Sequence, residues 1–145
     1  MIVKQIVLHN SDTPDSGTVS WGNIRNYHVQ VNGWQDIGYH FGIELARNSY
    51  EILLGRMPDM QGAHCRAGGR NKDSLGICFV GDFKYHEPHI DQWIKGLKLV
   101  DYLLRQFDLT PSNVWGHREF DDRKTCPGLM FDIDKFRNDL RQRRK

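Results

Sequence analysis

The chain has no apolar run near the roughly 20 residues that a membrane-spanning helix needs. Its opening stretch, Met1-Ile2-Val3-Lys4-Gln5-Ile6-Val7-Leu8, lacks the basic region, apolar centre and small-residue cleavage site of a secretory leader. It reads as a first strand, and the expectation is a protein made in the cytoplasm. Cysteine is scarce and odd in number. Cys65, Cys78 and Cys126 cannot all pair within one chain, which argues against a disulfide framework. Neither sign of charge dominates, and a net charge of +2 is too small to argue for nucleic acid. Internal repeats, low-complexity segments and linkers are missing too. The 145 residues are therefore expected to form one domain, 1–145, with enough mass for a hydrophobic core. No compact metal signature such as His-Glu-x-x-His is present.

What is there is ordinary for a globular protein: 39% hydrophobic and 26% charged residues. Residues 3–9 are apolar and β-branched, as in a buried strand. A turn follows, then a predicted helix from Thr18 or Ser20 to about Val31, with Asn32-Gly33 as its stop. Residues 39–46 and 50–55 form a hairpin pattern around Arg47-Asn48-Ser49. Residues 61–71 read as a loop and 74–80 as a strand. Ile90, Trp93, Ile94, Leu97, Val100, Leu103, Leu104 and Phe107 recur on a 3.6-residue period, one apolar stripe of a helix. Thr110-Pro111-Ser112 breaks it; a short strand through Val114-Trp115 ends at Gly116-His117, and a last helix runs from Ile133. Strands interspersed with helices predict an α/β domain: a central mixed β-sheet flanked by helices. The cations Arg137, Arg141, Arg143, Arg144 and Lys145 crowd the C-terminus. They read either as a helix end opposing the macrodipole with a frayed tail, or as attraction to a polyanionic surface.

Three side chains sit where α/β sheets assemble their sites. His9 ends the first strand, His117 ends a later one, and Cys126 lies in the loop Lys124-Thr125-Cys126-Pro127-Gly128. Two imidazoles and a thiolate are competent zinc ligands, and three protein ligands leave a fourth tetrahedral position open. Spacing alone leaves a second reading standing: histidines that cap strands, and a cysteine that is a small buried hydrophobe.

Six strings occur in order from Ile6 to Gly128: Ile6-Val7-Leu8-His9-Asn10-Ser11, Ile37-Gly38-Tyr39-His40-Phe41, Gln61-Gly62-Ala63-His64, Ser74-Leu75-Gly76-Ile77-Cys78-Phe79-Val80-Gly81, Val114-Trp115-Gly116-His117-Arg118 and Lys124-Thr125-Cys126-Pro127-Gly128. Through them the chain resembles the zinc-dependent N-acetylmuramoyl-L-alanine amidases, which include amidase-type phage endolysins (phage lysozymes) and the peptidoglycan recognition proteins. The resemblance implies a mixed sheet flanked by helices with a shallow groove for a glycan–peptide substrate. It also implies one zinc per chain, held by His9, His117 and Cys126. Tyr39 matches a catalytic tyrosine, and Lys124 a cation that steadies charge on the substrate carbonyl. The implied reaction is hydrolysis of the amide between muramic acid and L-alanine in peptidoglycan. The implied setting is a phage or prophage endolysin, a monomer that acts on the wall after release. Two alternatives are a peptidoglycan-binding module without catalysis and a cytoplasmic enzyme recycling muropeptides. Some relatives lack this cysteine and only bind the wall, and the recycling branch carries aspartate there, so Cys126 favours hydrolysis and the Lys124–Cys126 pairing points away from recycling.

Around this set, His64 matches a substrate-side histidine, with Arg70, Asn71 and Trp34 as further candidates for binding peptide or sugar; packing is the other reading for Trp34. His28, His40, His86 and His89 read as structural, Cys78 as core, and Glu119 as an ion-pair partner. Cys65 departs from the family pattern.

Overall fold

Side chains along a strand alternate between the two faces of its sheet, and that alternation separates core from chemistry here. The computed structural model describes residues 1–17 and 19–145, so Thr18, one of the two expected helix caps, lies outside them. Strand β1 (Gln5–Asn10) sends Ile6 and Leu8 into the main core and turns His9 to the opposite face. On β4 (Ser74–Phe79), Leu75, Ile77 and Phe79 join the same core, while Cys78 joins a smaller cluster behind the site with Trp21, Ile37 and Val80.

The sheet is mixed, as expected. With β2 (Phe41–Ala46), β3 (Ser49–Leu54) and β5 (Val114–Gly116), its order is β3-β2-β4-β1-β5. Only the β2–β3 hairpin is antiparallel; β1–β4, β1–β5 and β2–β4 are parallel. The hairpin turns on two residues, with Arg47 at φ 62°. That left-handed position suits a two-residue turn.

Helix α1 (Trp21–Asn26) starts beside Ser20, but the serine hydroxyl does not cap it. Instead the buried Glu44 carboxylate of β2 accepts from the backbone N–H of Ser20 and Trp21. A carboxylate at a helix N-terminus also complements the dipole there. The helix continues into a π-helical turn, Tyr27–Val31, and the chain leaves it through Gly33 at φ +73°.

Helix α2 (Ile90–Gln106) lays Trp93, Leu97, Val100, Leu103 and Leu104 on the core, each contributing roughly 1.5–3 kcal/mol by burial. The stripe read from sequence is too broad at its N-terminal end, where Ile90 is 60% and Ile94 40% exposed. His89 has a structural task, accepting from Asp91 N–H at 3.0 Å to cap the helix. No helix among the described residues is long and apolar enough to cross a membrane. Helix α3 is His117–Phe120 and α4 is Ile133–Arg143. Beyond α4 the tail is not frayed. Arg144 reaches back to Asp101 at 3.2 Å and donates to the Leu109 carbonyl.

Candidate functional site

His9, near the carboxyl end of the interior strand β1, is almost fully buried. His117 opens α3 rather than ending β5, a small correction to the sequence reading with a local cause. The Glu119 carboxylate accepts from Gly116 N–H at 2.8 Å, which turns the chain from strand to helix at this residue. Arg137 pairs with Glu119 at 2.9 Å, so Glu119 is the expected ion-pair partner. Cys126 comes from a loop pinned by Arg118. That guanidinium donates to the carbonyls of Thr125, Gly128 and Phe131, and Arg118 N–H donates to the Cys126 carbonyl. Arg118 sits inside a quoted motif, yet no task for it was legible there.

The three side chains converge. Their donor atoms lie within 4.8 Å of one another, the one such metal-competent group among the described residues. His9 Nδ1 stands 3.5 Å from Cys126 Sγ. Zinc–nitrogen and zinc–sulfur bonds at tetrahedral angles place such a pair about 3.5 Å apart, so the donor set fits a zinc ion. The charges agree. Burial, then neighbouring imidazoles, holds His9 well below its ordinary range, so it is neutral and able to ligate. Burial also lowers His117, aided by the Lys124 ammonium and opposed by Asp121. Burial pushes the Cys126 thiol up to about 12, against the pull of Asn10 N–H, which donates to Sγ at 3.3 Å. A dication in this cradle would reverse that balance, because a coordinating thiol deprotonates.

Around the cradle lies an open groove of about 760 Å³. Tyr39 faces it with its ring 5.2 Å from that of His9. Burial above all, then the Cys78 and Cys126 thiols, pushes the phenol well above its ordinary range, so the hydroxyl keeps its proton as a donor. Lys124 is exposed on the groove's rim. Trp34 also lines it, packed on His28 with ring centroids 4.7 Å apart.

Other expected residues fall differently. Asn71 borders the groove, but its Oδ1 is occupied by the N–H groups of His64 and Cys65. Arg70 is not among the lining residues; it is held by Asp73 at 3.3 Å and lies over the Phe120 ring. His64 lines the groove as well, but it is only 7% exposed, bonded through both nitrogens and set beside His9. His40 is structural as expected, between Gly76 N–H and the Met60 carbonyl. Cys65 is buried, and burial raises its thiol to about 11. It is a poor nucleophile at neutral pH.

His28, read as structural, lines the groove. It lies in the π-helical turn, and its Nδ1 accepts from Gly38 N–H at 2.9 Å. Arg66 and Arg123 add positive charge to the same walls.

Comparison with known proteins agrees with this fold. Peptidoglycan-recognition protein SD of Drosophila melanogaster is 33% identical over 107 residues, covering 73% of this chain and 54% of that protein. The chain thus spans about half the length of the curated relatives it matches. Among solved structures, the N-acetylmuramoyl-L-alanine amidase LysC from Clostridium intestinale URNW superposes with a TM-score of 0.81 at 26% identity, over 97% of this chain and 86% of that one. The endolysine LysCS from the same organism superposes at 0.79 with 27% identity, over 97% and 84%. The family profile described as N-acetylmuramoyl-L-alanine amidase matches residues 1–129, and the chain belongs to that family.

Proposed function

We propose that this chain hydrolyses the amide between N-acetylmuramic acid and L-alanine in bacterial peptidoglycan, with one zinc ion held by His9, His117 and Cys126. The observation that carries this reading is the complete ligand set, Cys126 included, gathered within 4.8 Å at the floor of an open groove. Zinc in such a site is a Lewis acid that activates water and polarises a carbonyl.

The protein's own groups do the rest. Amide hydrolysis gathers negative charge on the carbonyl oxygen as water adds to the carbon. The Tyr39 hydroxyl, kept protonated by burial, is a fixed donor at the cradle's edge. The Lys124 ammonium, two residues from Cys126, offers a positive charge to the same oxygen. Fixed donors aimed at developing charge typically supply about 10²–10³ in rate each. Trp34 and His28 present flat faces that suit a sugar ring or peptide plane, and Arg66 suits a substrate carboxylate. Asn71 serves the wall by holding the loop that carries His64.

The likeness to the Clostridium endolysine supports an endolysin setting, in which a monomer meets the wall from within after release. The second reading, a module that binds peptidoglycan without cutting it, is favoured by the curated relatives named as recognition proteins. Incubation with purified sacculi decides. Release of L-alanine amino termini that stops with a chelator and returns with zinc supports hydrolysis. Sedimentation with sacculi and no release at any zinc level supports binding alone.

A further inference from the structure

His64 has no part in the chemistry above, yet the fold makes deliberate room for it. A methyl group at Gly76 would lie 2.5 Å from the His64 Cγ, and one at Gly62 would lie 2.6 Å from its Cδ2. The imidazole therefore fills a slot between the loop before it and β4. Two glycines shape that slot, and both fall in the quoted motifs. The ring meets His9 edge-on, with centroids 5.0 Å apart and planes at 88°.

The protons in this slot can be placed one by one. The Ser74 carbonyl oxygen can only accept, and it stands 3.3 Å from His64 Nε2. The Ser74 hydroxyl, 3.4 Å from the same nitrogen, spends its single proton on the Arg70 carbonyl and so also presents a lone pair. His64 Nε2 must therefore carry hydrogen. A buried imidazolium without a carboxylate partner is costly, so the ring is neutral and its Nδ1 is a lone pair. At 2.9 Å, that lone pair can only accept from His9 Nε2. His9 is left with its proton on Nε2 and its Nδ1 lone pair turned toward Cys126 Sγ.

We propose that His64 is a positioning residue, relaying the Ser74 carbonyl through two imidazoles so that His9 offers Nδ1 as its metal-binding atom. This rests on His9 being a zinc ligand. Such outer partners fix the tautomer and ring angle of a ligating histidine and raise its basicity.

Long-range ¹H–¹⁵N spectra of the metal-free protein read the tautomers directly. Both His9 and His64 are expected to be protonated at Nε2; a His9 protonated at Nδ1 would overturn the proposal. Zinc competition against a chelator is the second measurement, on the wild type, His64→Leu and His64→Gln. Leucine fills the slot without hydrogen bonds, whereas glutamine keeps an acceptor oxygen and a donor amide. The expectation is a loss of about 10–100-fold in zinc affinity for leucine, with mixed His9 tautomers, and recovery of most of it by glutamine. Wild-type affinity in His64→Leu, or equal losses in two folded variants, would reduce His64 to packing. If neither variant folds, the wild-type tautomers decide alone. A wild type that takes up no zinc would sink the catalytic reading, while its tautomers would still test the hydrogen-bond chain.

Discussion

His9 Nδ1 and Cys126 Sγ stand 3.5 Å apart although 117 positions separate them along the chain. Neither atom has a carboxylate or cation bonded to it in place of the other. The distance suits a shared ion or a thiol hydrogen bond, and the choice between them is an experiment. Cys126→Ser should keep the fold and lose most of its zinc. A serine hydroxyl is a far poorer zinc ligand than a thiolate, so affinity should fall by roughly 100-fold or more. Metal analysis after dialysis against a chelator checks this, and full occupancy in the variant would remove Cys126 from the ligand set.

Tyr39→Phe and Lys124→Ala test the two donors at the cradle. Both variants should retain zinc and thermal stability, while kcat falls by on the order of 10²–10³ and KM changes little. A loss that appears only in KM would move that residue from transition-state stabilisation to substrate binding.

Arg118 touches no substrate in this reading, but it holds three carbonyls of the segment carrying Cys126. Replacing it with methionine should leave those carbonyls without their shared donor and loosen the loop. Zinc affinity is then expected to drop by about 10–100-fold, as for other groups that hold metal ligands in place. Lysine should not restore it, because a single ammonium cannot reproduce the planar fork. Restoration by lysine would show that charge alone was needed.

Asp101 gives the pH dependence. Burial raises its carboxyl, but hydrogen bonds and charge from Arg105 and Arg144 outweigh it and leave the pKa below its ordinary value. A group depressed on folding stabilises above its unfolded pKa of about 3.9 and loses that contribution as pH falls through the folded value. Asp101→Asn should therefore be less stable than wild type in urea at pH 7, with the gap closing below about pH 4. A gap that is unchanged at pH 3 would point to packing rather than charge. The same pairing explains why the C-terminal cations are not all free to meet a polyanion.

Much of this fold and site is legible in the sequence alone. The β-branched run around Val7, the Arg47-Asn48 hairpin and the stripe from Trp93 to Leu104 announce themselves through period and turn chemistry. His9, His117 and Cys126 could be named because they sit in strings that also carry the fold. What stayed hidden depends on one side chain meeting a backbone group far away. His28 reaches the groove from a π-helical turn, whose residues fall out of step with the 3.6-residue period used to read the sequence. Arg118 and Glu119 look like ordinary charged neighbours until their carbonyl and amide partners are known. His64 reads only as a substrate-side histidine of a glycine-rich loop; the slot beside Gly76 exists only once β4 is in place.

The cradle joins parts of unequal mobility. His9 rides on a strand hydrogen-bonded on both edges, between β4 and β5. Cys126 rides on a short segment fastened chiefly by one arginine. Amide hydrogen exchange should therefore be slowest along β1 and measurably faster across residues 124–128, since local opening follows the weaker tethers. Metal would then enter and leave at the rate at which that clasp opens, with the strand as a fixed anchor. Tightening the tether that Arg118 gives this segment would tune how long a bound metal survives a chelating environment.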